Sequence, residues 1–483
     1  MLKKIFAVIT MCLLLVFSSA CGFTGDGGSA SNNSQSNESV RETDSKSETT
    51  SESVLNYVVT KKGTPQPVYS KYYEYLGGKD VMPVGTFSGP QYFQLNDDTF
   101  KLIKESGVGF FTSTIDGTAD KTNAKKFLAL SDKYEIGVFL TLTSLGGERM
   151  ASTMTSQKIE KVLSDFVDYE SFMGFELKDE PNIEMAKEIN KTIKAFKASK
   201  YSDYEMYYNA FPNYATPTQL SGTDEGITYE NYVRAFIENM EADYFSYDYY
   251  PFGKFGAIGQ GYFENMSIVR NICQEYEIPF WTFIQCGADF GYGFKECIPD
   301  ESRFRWNVAT SLAYGAKGIQ YFTLTQPQMF YDAIKDKDPE AETRLGMFGY
   351  KNNINQWYYY AKDANVHIAA VDGVLMNCAH EGVIFHGKSI VEPGKGKEII
   401  TSGKYRQLIS VEGDNSIVGC FDYNGGTALY IVNNSVSKNG TVILSFDDNY
   451  CYEITQKNEQ TEKIGKTLTL SLDKGEGALV VLK

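Results

Sequence analysis

The chain has 483 residues, with 46 basic against 61 acidic side chains and a net charge of −15. That acidic balance argues against nucleic acid as a partner, because binding a polyphosphate needs basic patches. Only three histidines occur, His367, His380 and His386, and none of the eight cysteines forms a Cys-x-x-Cys pair, so no metal site and no organic cofactor is implied.

The chain opens on Lys3 and Lys4, then an apolar run over residues 5–17, then Ser18, Ser19 and Ala20 before Cys21. This is the pattern of a secretory signal, and the run is short for a membrane span. A cysteine just after small residues resembles a bacterial lipobox, although Ser18 stands where lipoboxes usually carry leucine. The resemblance implies a lipidated Cys21 and a mature protein on the extracellular face of a bacterial membrane. Ordinary secretion with cleavage nearby is the other reading. Residues 22–54 are Ser, Asn, Glu, Thr and Gly with almost nothing apolar. They cannot bury a core and are expected to form a disordered tether.

Eight short apolar runs follow, at 81–87, 108–113, 136–142, 172–179, 205–211, 244–250, 278–285 and 318–325. Helix-like segments lie between and after them, among them 97–106, 156–169, 229–240, 303–314 and 353–370. Eight strands, each followed by a helix, predict an α/β fold of the (β/α)8 TIM barrel type over residues 55–379. The rival is an open doubly wound sheet. Residues 84–90 lack the Gly-rich phosphate loop that would favour it. Past residue 380 the pattern turns to short alternating segments at 416–423, 427–433, 441–446, 450–456, 467–472 and 478–482. Turns at Asn424-Gly425-Gly426 and Asn439-Gly440 separate some of them. That predicts an all-β sandwich over 380–483. Cys420 and Cys451 could bridge two of its strands, with unpaired buried thiols as the alternative.

The segment from Gly174 to Asn182 reads as a buried strand that ends in two adjacent acids, Asp179 and Glu180, and is stopped by Pro181. Two acids at a strand tip repel unless a proton or a ligand relieves them, which suits general acid catalysis. A barrel carries its site at the C-terminal strand ends. The candidates to join the acids are therefore Asn209 and Asn213 on strand 5, and Tyr247, Asp248, Tyr249 and Tyr250 on strand 6. Strand 7 offers Trp281, Gln285 and Asp289, and strand 8 offers Tyr321, Thr323 and Gln326. Carboxylates, amides and aromatic rings are what a sugar site needs, so the expected partner is an oligo- or polysaccharide. Plainer roles compete. Asp179 and Glu180 could cap the helix beginning near Ile183, Glu176 and Lys178 could form an internal ion pair, and the tyrosines could be packing.

The run Glu176-Leu177-Lys178-Asp179-Glu180-Pro181 resembles the strand-4 motif of the clan A barrel glycoside hydrolases, which reads Glu-Leu-x-Asn-Glu-Pro in several families. The resemblance implies that Glu180 is the acid/base and that Asp179 stands where an Asn touches the sugar 2-hydroxyl. Residues 279–287 resemble the strand-7 segment that carries the nucleophile, with Gln285 in place of the expected Glu. Residues 312–322 and the trailing sandwich resemble barrels related to the family 42 β-galactosidases. Glutamine cannot form the glycosyl ester of a retaining two-carboxylate enzyme. Three readings follow. A 2-acetamido group of the substrate attacks, oriented by Asp179; or the enzyme inverts, with Asp248 or Asp289 activating water; or the chain is a carbohydrate-binding lipoprotein without catalysis.

Overall fold

A computed structural model describes residues 71–145, 154–253, 257–288 and 299–483. The expected signal, the tether, Cys21 and Asp289 lie outside the described residues. Eight strands follow one another: β1 (Val84–Thr86), β2 (Phe110–Asp116), β3 (Gly137–Thr141), β4 (Phe172–Asp179), β5 (Glu205–Asn209), β6 (Phe245–Tyr247), β7 (Phe280–Gln285) and β8 (Gly318–Phe322). They pair in parallel in the order β5-β4-β3-β2-β1-β8-β7-β6. The ring closes between β5 and β6 through the parallel bridge Ala210–Tyr247, where the Ala210 N–H donates to the Ser246 carbonyl at 2.8 Å. This is a (β/α)8 barrel.

The helices around it start where the sequence supplies a cap. Asn96, Asp120, Thr155, Asn182, Thr228, Asp300 and Asn355 each accept a backbone N–H of the helix that follows. Such caps contribute about 1 kcal/mol each. Aromatic rings fill the lower barrel. Trp281 stacks on Tyr244 at 4.3 Å and meets Phe110 at 5.6 Å, and Phe139 links Phe110 to Tyr207. Gly85 faces this layer because a Cβ there would lie 2.2 Å from the Phe110 ring.

The remaining strands are antiparallel: β9 (Cys378–His386), β10 (Leu408–Gly413), β11 (Ser416–Tyr423), β12 (Gly426–Asn433), β13 (Gly440–Gln456), β14 (Glu459–Leu472) and β15 (Gly477–Leu482). Their order is β10-β13-β15-β12-β11-β9, with β14 also on β13. The long β13 serves both layers of the sandwich. Its first half pairs β10 and its second half pairs β15, with a register break between Ser445 and Tyr450 in its pairing to β14. Val418, Leu429, Ile431, Leu444 and Val480 form the core between the layers. Ile417, Phe421, Tyr430, Val432 and Leu479 alternate with them and join the core of the barrel. The central strands are therefore buried on both faces, and the sandwich is fused to the barrel.

The helix Glu301–Ala313 makes much of that contact, against β11, β12 and β15. Gly419 admits it, since a Cβ there would lie 2.2 Å from the Ala313 carbonyl oxygen. The Trp306 indole donates to Asn434 at 3.0 Å. Arg270 Nε donates to His380 Nδ1 at 2.8 Å, and its Nη2 donates to the His380 carbonyl at 2.8 Å.

Two details differ from the sequence reading, and one alternative it left open is decided. The segments 441–446 and 450–456 are one strand. β9, β10 and the first half of β14 are additional. The Cys420–Cys451 bridge is absent, and both thiols are free. Cys420 lies on β11 and Cys451 on β13, with β12 and β15 between them. Three strand spacings put them about 14 Å apart, beyond the reach of a disulfide.

Candidate active site

Strand β4 delivers its acids through an irregularity at Leu177, where the register to β5 shifts between Glu176 and Lys178. Glu176 accepts a hydrogen bond from Thr141 Oγ1 at 2.9 Å. No ion pair joins it to Lys178 among the described residues, so the expected pairing is replaced by this hydroxyl contact. Glu180 ends the strand in the left-handed region, at φ 47°. Pro181 behind it disfavours a right-handed helical backbone at this position. The Glu180 N–H is held by the Asn209 carbonyl at 2.9 Å. The following helix is capped by Asn182, which accepts from the Met185 N–H at 2.8 Å. The acids are thus not needed as caps. Glu180 is half-buried as a residue, and its carboxyl makes no hydrogen bond among the described residues.

A relay of side chains supports the acids from below. Tyr207 donates to Gln320 Oε1 at 2.7 Å, Gln320 Nε2 donates to Ser246 Oγ at 2.8 Å, and Ser246 Oγ donates to Asn209 Oδ1 at 2.9 Å. With its oxygen taken by Ser246, Asn209 turns its NH2 toward the acids. It donates to Asp179 Oδ1 at 3.3 Å and to Asp248 Oδ1 at 3.1 Å. Tyr250 lies beside Asp248 and packs on Phe322 at 5.4 Å.

Four carboxyls therefore crowd the mouth, and Lys178 is the cation beside them among the described residues. Burial and the charge of Asp179 push Asp248 up to about 7, against the pull of Asn209 and Tyr250. Burial and Asp179 likewise bring Glu176 to about 7. Burial raises Asp179 too, with Lys178 and Asn209 opposing. Glu180 is pushed well above the usual carboxylate range by burial first, then by Asp248 and Asp179. The cluster holds protons at neutral pH.

Among the sequence candidates, Asp179, Glu180, Asn209, Asp248 and Tyr250 come together here. Tyr247, Tyr249 and Tyr321 do not. Ser246 and Asp248 point inward, so Tyr247 points out and packs beside Phe245 and Phe280. Tyr249 sits between Tyr214 and Tyr262. Tyr321 alternates with inward Gln320, stacks on Phe304 and donates to Asn365 at 2.6 Å. Trp281 points inward but belongs to the lower aromatic layer, fully buried.

Gln285 spends its amide on backbone. Its Oε1 accepts from the Phe252 N–H at 2.8 Å, and its Nε2 donates to the Phe252 and Gly287 carbonyls at 3.1 and 3.3 Å. It clamps the chain that follows β6. Ser246, Tyr207 and Gln320 complete the site. Parity with Asp248, Asn209 and Phe322 was the signal for these three. Among the described residues no His, Cys, Asp and Glu side chains gather in a metal-binding group.

A TIM barrel with acids at the C-terminal end of β4 and a fused β-sandwich is the class of protein this structure defines. No protein-family model and no curated protein matches the chain. Two solved structures share the architecture. One is a catalytic mutant of Gan42B, a family 42 β-galactosidase from G. stearothermophilus. It is similar over 87% of this chain and 100% of that one, at 8% identity and a TM-score of 0.55. The other is a glycoside hydrolase family 5 protein from Bacteroides vulgatus, similar over 87% of this chain and 95% of that one, at 10% identity and a TM-score of 0.51. At such identities the likeness is one of fold.

Proposed function

We propose that the protein is a glycoside hydrolase in which Glu180 is the general acid. One observation carries this reading. Glu180 stands at the tip of β4 with a carboxyl that burial and its acidic neighbours hold protonated and that meets no hydrogen-bond acceptor among the described residues. A proton held at neutral pH on a carboxyl with no hydrogen-bond partner among the described residues is available to a glycosidic oxygen. The negative charge of Asp248 is among the causes that keep it there, so Asp248 ionises first. That division of labour suits an inverting reaction: Glu180 protonates the leaving oxygen while Asp248, fixed by Asn209, takes a proton from the attacking water. Gln285, turned to backbone, takes no covalent part. A substrate 2-acetamido group oriented by Asp179 is the competing route, and it uses the same acid.

A panel of aryl glycosides and oligosaccharides tests the reading, with the first-formed anomer followed by NMR. Inversion supports Asp248 as base. Retention, with inhibition by a thiazoline mimic, supports the acetamido route. Sugar binding without cleavage of any glycoside supports a carbohydrate-binding protein on the same scaffold, a reading that the occupied amide of Gln285 favours. We further propose that the chain is tethered through a lipidated Cys21. Mass spectrometry of the mature N-terminus checks this, and an unmodified terminus on a freely secreted protein would exclude it.

A further inference from the structure

Four aromatic side chains among the described residues are more than half exposed: Tyr92, Phe93, Tyr214 and Tyr359. Single exposed aromatics are ordinary on a protein surface. Here three of the four lie on loops that follow strands at the mouth of the barrel. Tyr92 and Phe93 follow β1, and Tyr214 follows β5. In a ring of eight strands β1 and β5 are opposite, so the two groups flank the mouth from opposite sides.

Both are held out rigidly. Tyr92 and Phe93 belong to one short turn whose third residue, Gln94, is fully buried. Gln94 Oε1 accepts from the Gln91 N–H at 2.8 Å and from Thr325 Oγ1 at 2.9 Å, and its Nε2 donates to Asn352 at 2.6 Å. Across the mouth, the Asn213 N–H donates to Asn265 at 2.7 Å and its Nδ2 donates to the Gly261 carbonyl at 3.2 Å. Tyr249 braces the next residue, Tyr214, edge-on at 5.2 Å. Tyr249 is followed in the chain by Tyr250, which lies beside Asp248. A braced, half-exposed aromatic face at the mouth of the barrel is what a sugar ring stacks on.

We propose that Tyr214 on one side and Tyr92 with Phe93 on the other are stacking platforms of an extended cleft, and that the substrate is an oligosaccharide lying across the mouth. The inference rests on reading the acid cluster as a glycosidase site. The test uses the full chain carrying Glu180→Gln, titrated by calorimetry with cello-, xylo-, manno-, galacto- and chito-oligosaccharides of two to six units. Affinity is expected to rise with length in at least one series. Tyr214→Ala and the pair Tyr92→Ala/Phe93→Ala should each weaken the longest ligand about tenfold and the disaccharide less, while Tyr214→Phe retains binding. Affinity independent of length, an equal loss at every length, no loss, or no binding in any series would each overturn the proposal. Cleavage by the unmodified protein is scored separately. Length-dependent binding without cleavage keeps the platforms and removes the hydrolase reading, and cleavage without length dependence does the reverse.

Discussion

Replacing Asp248 with Asn should stabilise the protein, and only at high pH. Asp248 is 7% exposed and lies in the field of Asp179. In the folded state it holds its proton up to about 7, whereas in the unfolded chain an Asp loses it near 4. Between those values the native state binds more protons than the unfolded state, so this group's contribution to stability falls as pH rises. It is fully present below the unfolded value and is lost on passing through the folded one. At about 1.4 kcal/mol per unit, a shift of some three units corresponds to roughly 4 kcal/mol at pH 8. Asparagine keeps an oxygen to accept from Asn209, and it carries no charge. Asp248→Asn should therefore gain about 2–4 kcal/mol at pH 8 and almost nothing at pH 4. Urea denaturation of both proteins at the two pH values measures this. A gain of equal size at both, or a loss at pH 8, would refute the account of the acid cluster.

Two further substitutions probe the frame of the site. Gln285→Glu should cost about 2–4 kcal/mol, because a second oxygen would face the carbonyls of Phe252 and Gly287 in a buried position; the urea midpoint gives the value, and a stable, more active variant would show that Gln285 faces substrate instead. Arg270→Ala should cost about 3–5 kcal/mol by leaving the buried Glu398 and His380 without their cation and donor; a loss under 1 kcal/mol in the same assay would show that this junction of barrel and sandwich is dispensable.

The eight strands were legible because each is a short apolar run set off by amphipathic helices with polar caps. The acid pair was legible because Asp179-Glu180-Pro181 puts two charges at the end of an apolar strand; that Asn182, and not the acids, caps the next helix was not. The tyrosines were not. Barrel strands are buried on both faces, so hydrophobicity does not say which residues point inward. β6 is only three residues long and β4 shifts register at Leu177. Parity counted from Asp248 would have selected Ser246 and rejected Tyr247. The first half of β14, from Glu459 to Lys466, was missed because it is largely exposed and polar. Only pairing with β13 makes it a strand, and no burial pattern marks it. Gln285 was found by its place in β7, but its engagement with Phe252 depends on how the chain after β6 folds back. No local pattern encodes that.

The central claim is that Glu180 donates the proton to the leaving oxygen. The direct measurement is the kcat of Glu180→Gln against the unmodified protein on an oligosaccharide the latter cleaves, beside an aryl glycoside with an acidic phenol as leaving group. The account predicts a loss of about 10²–10⁴-fold on the oligosaccharide and a much smaller loss on the aryl glycoside, whose leaving group needs no proton, with the fold unchanged. Full activity of Glu180→Gln on the oligosaccharide would contradict it.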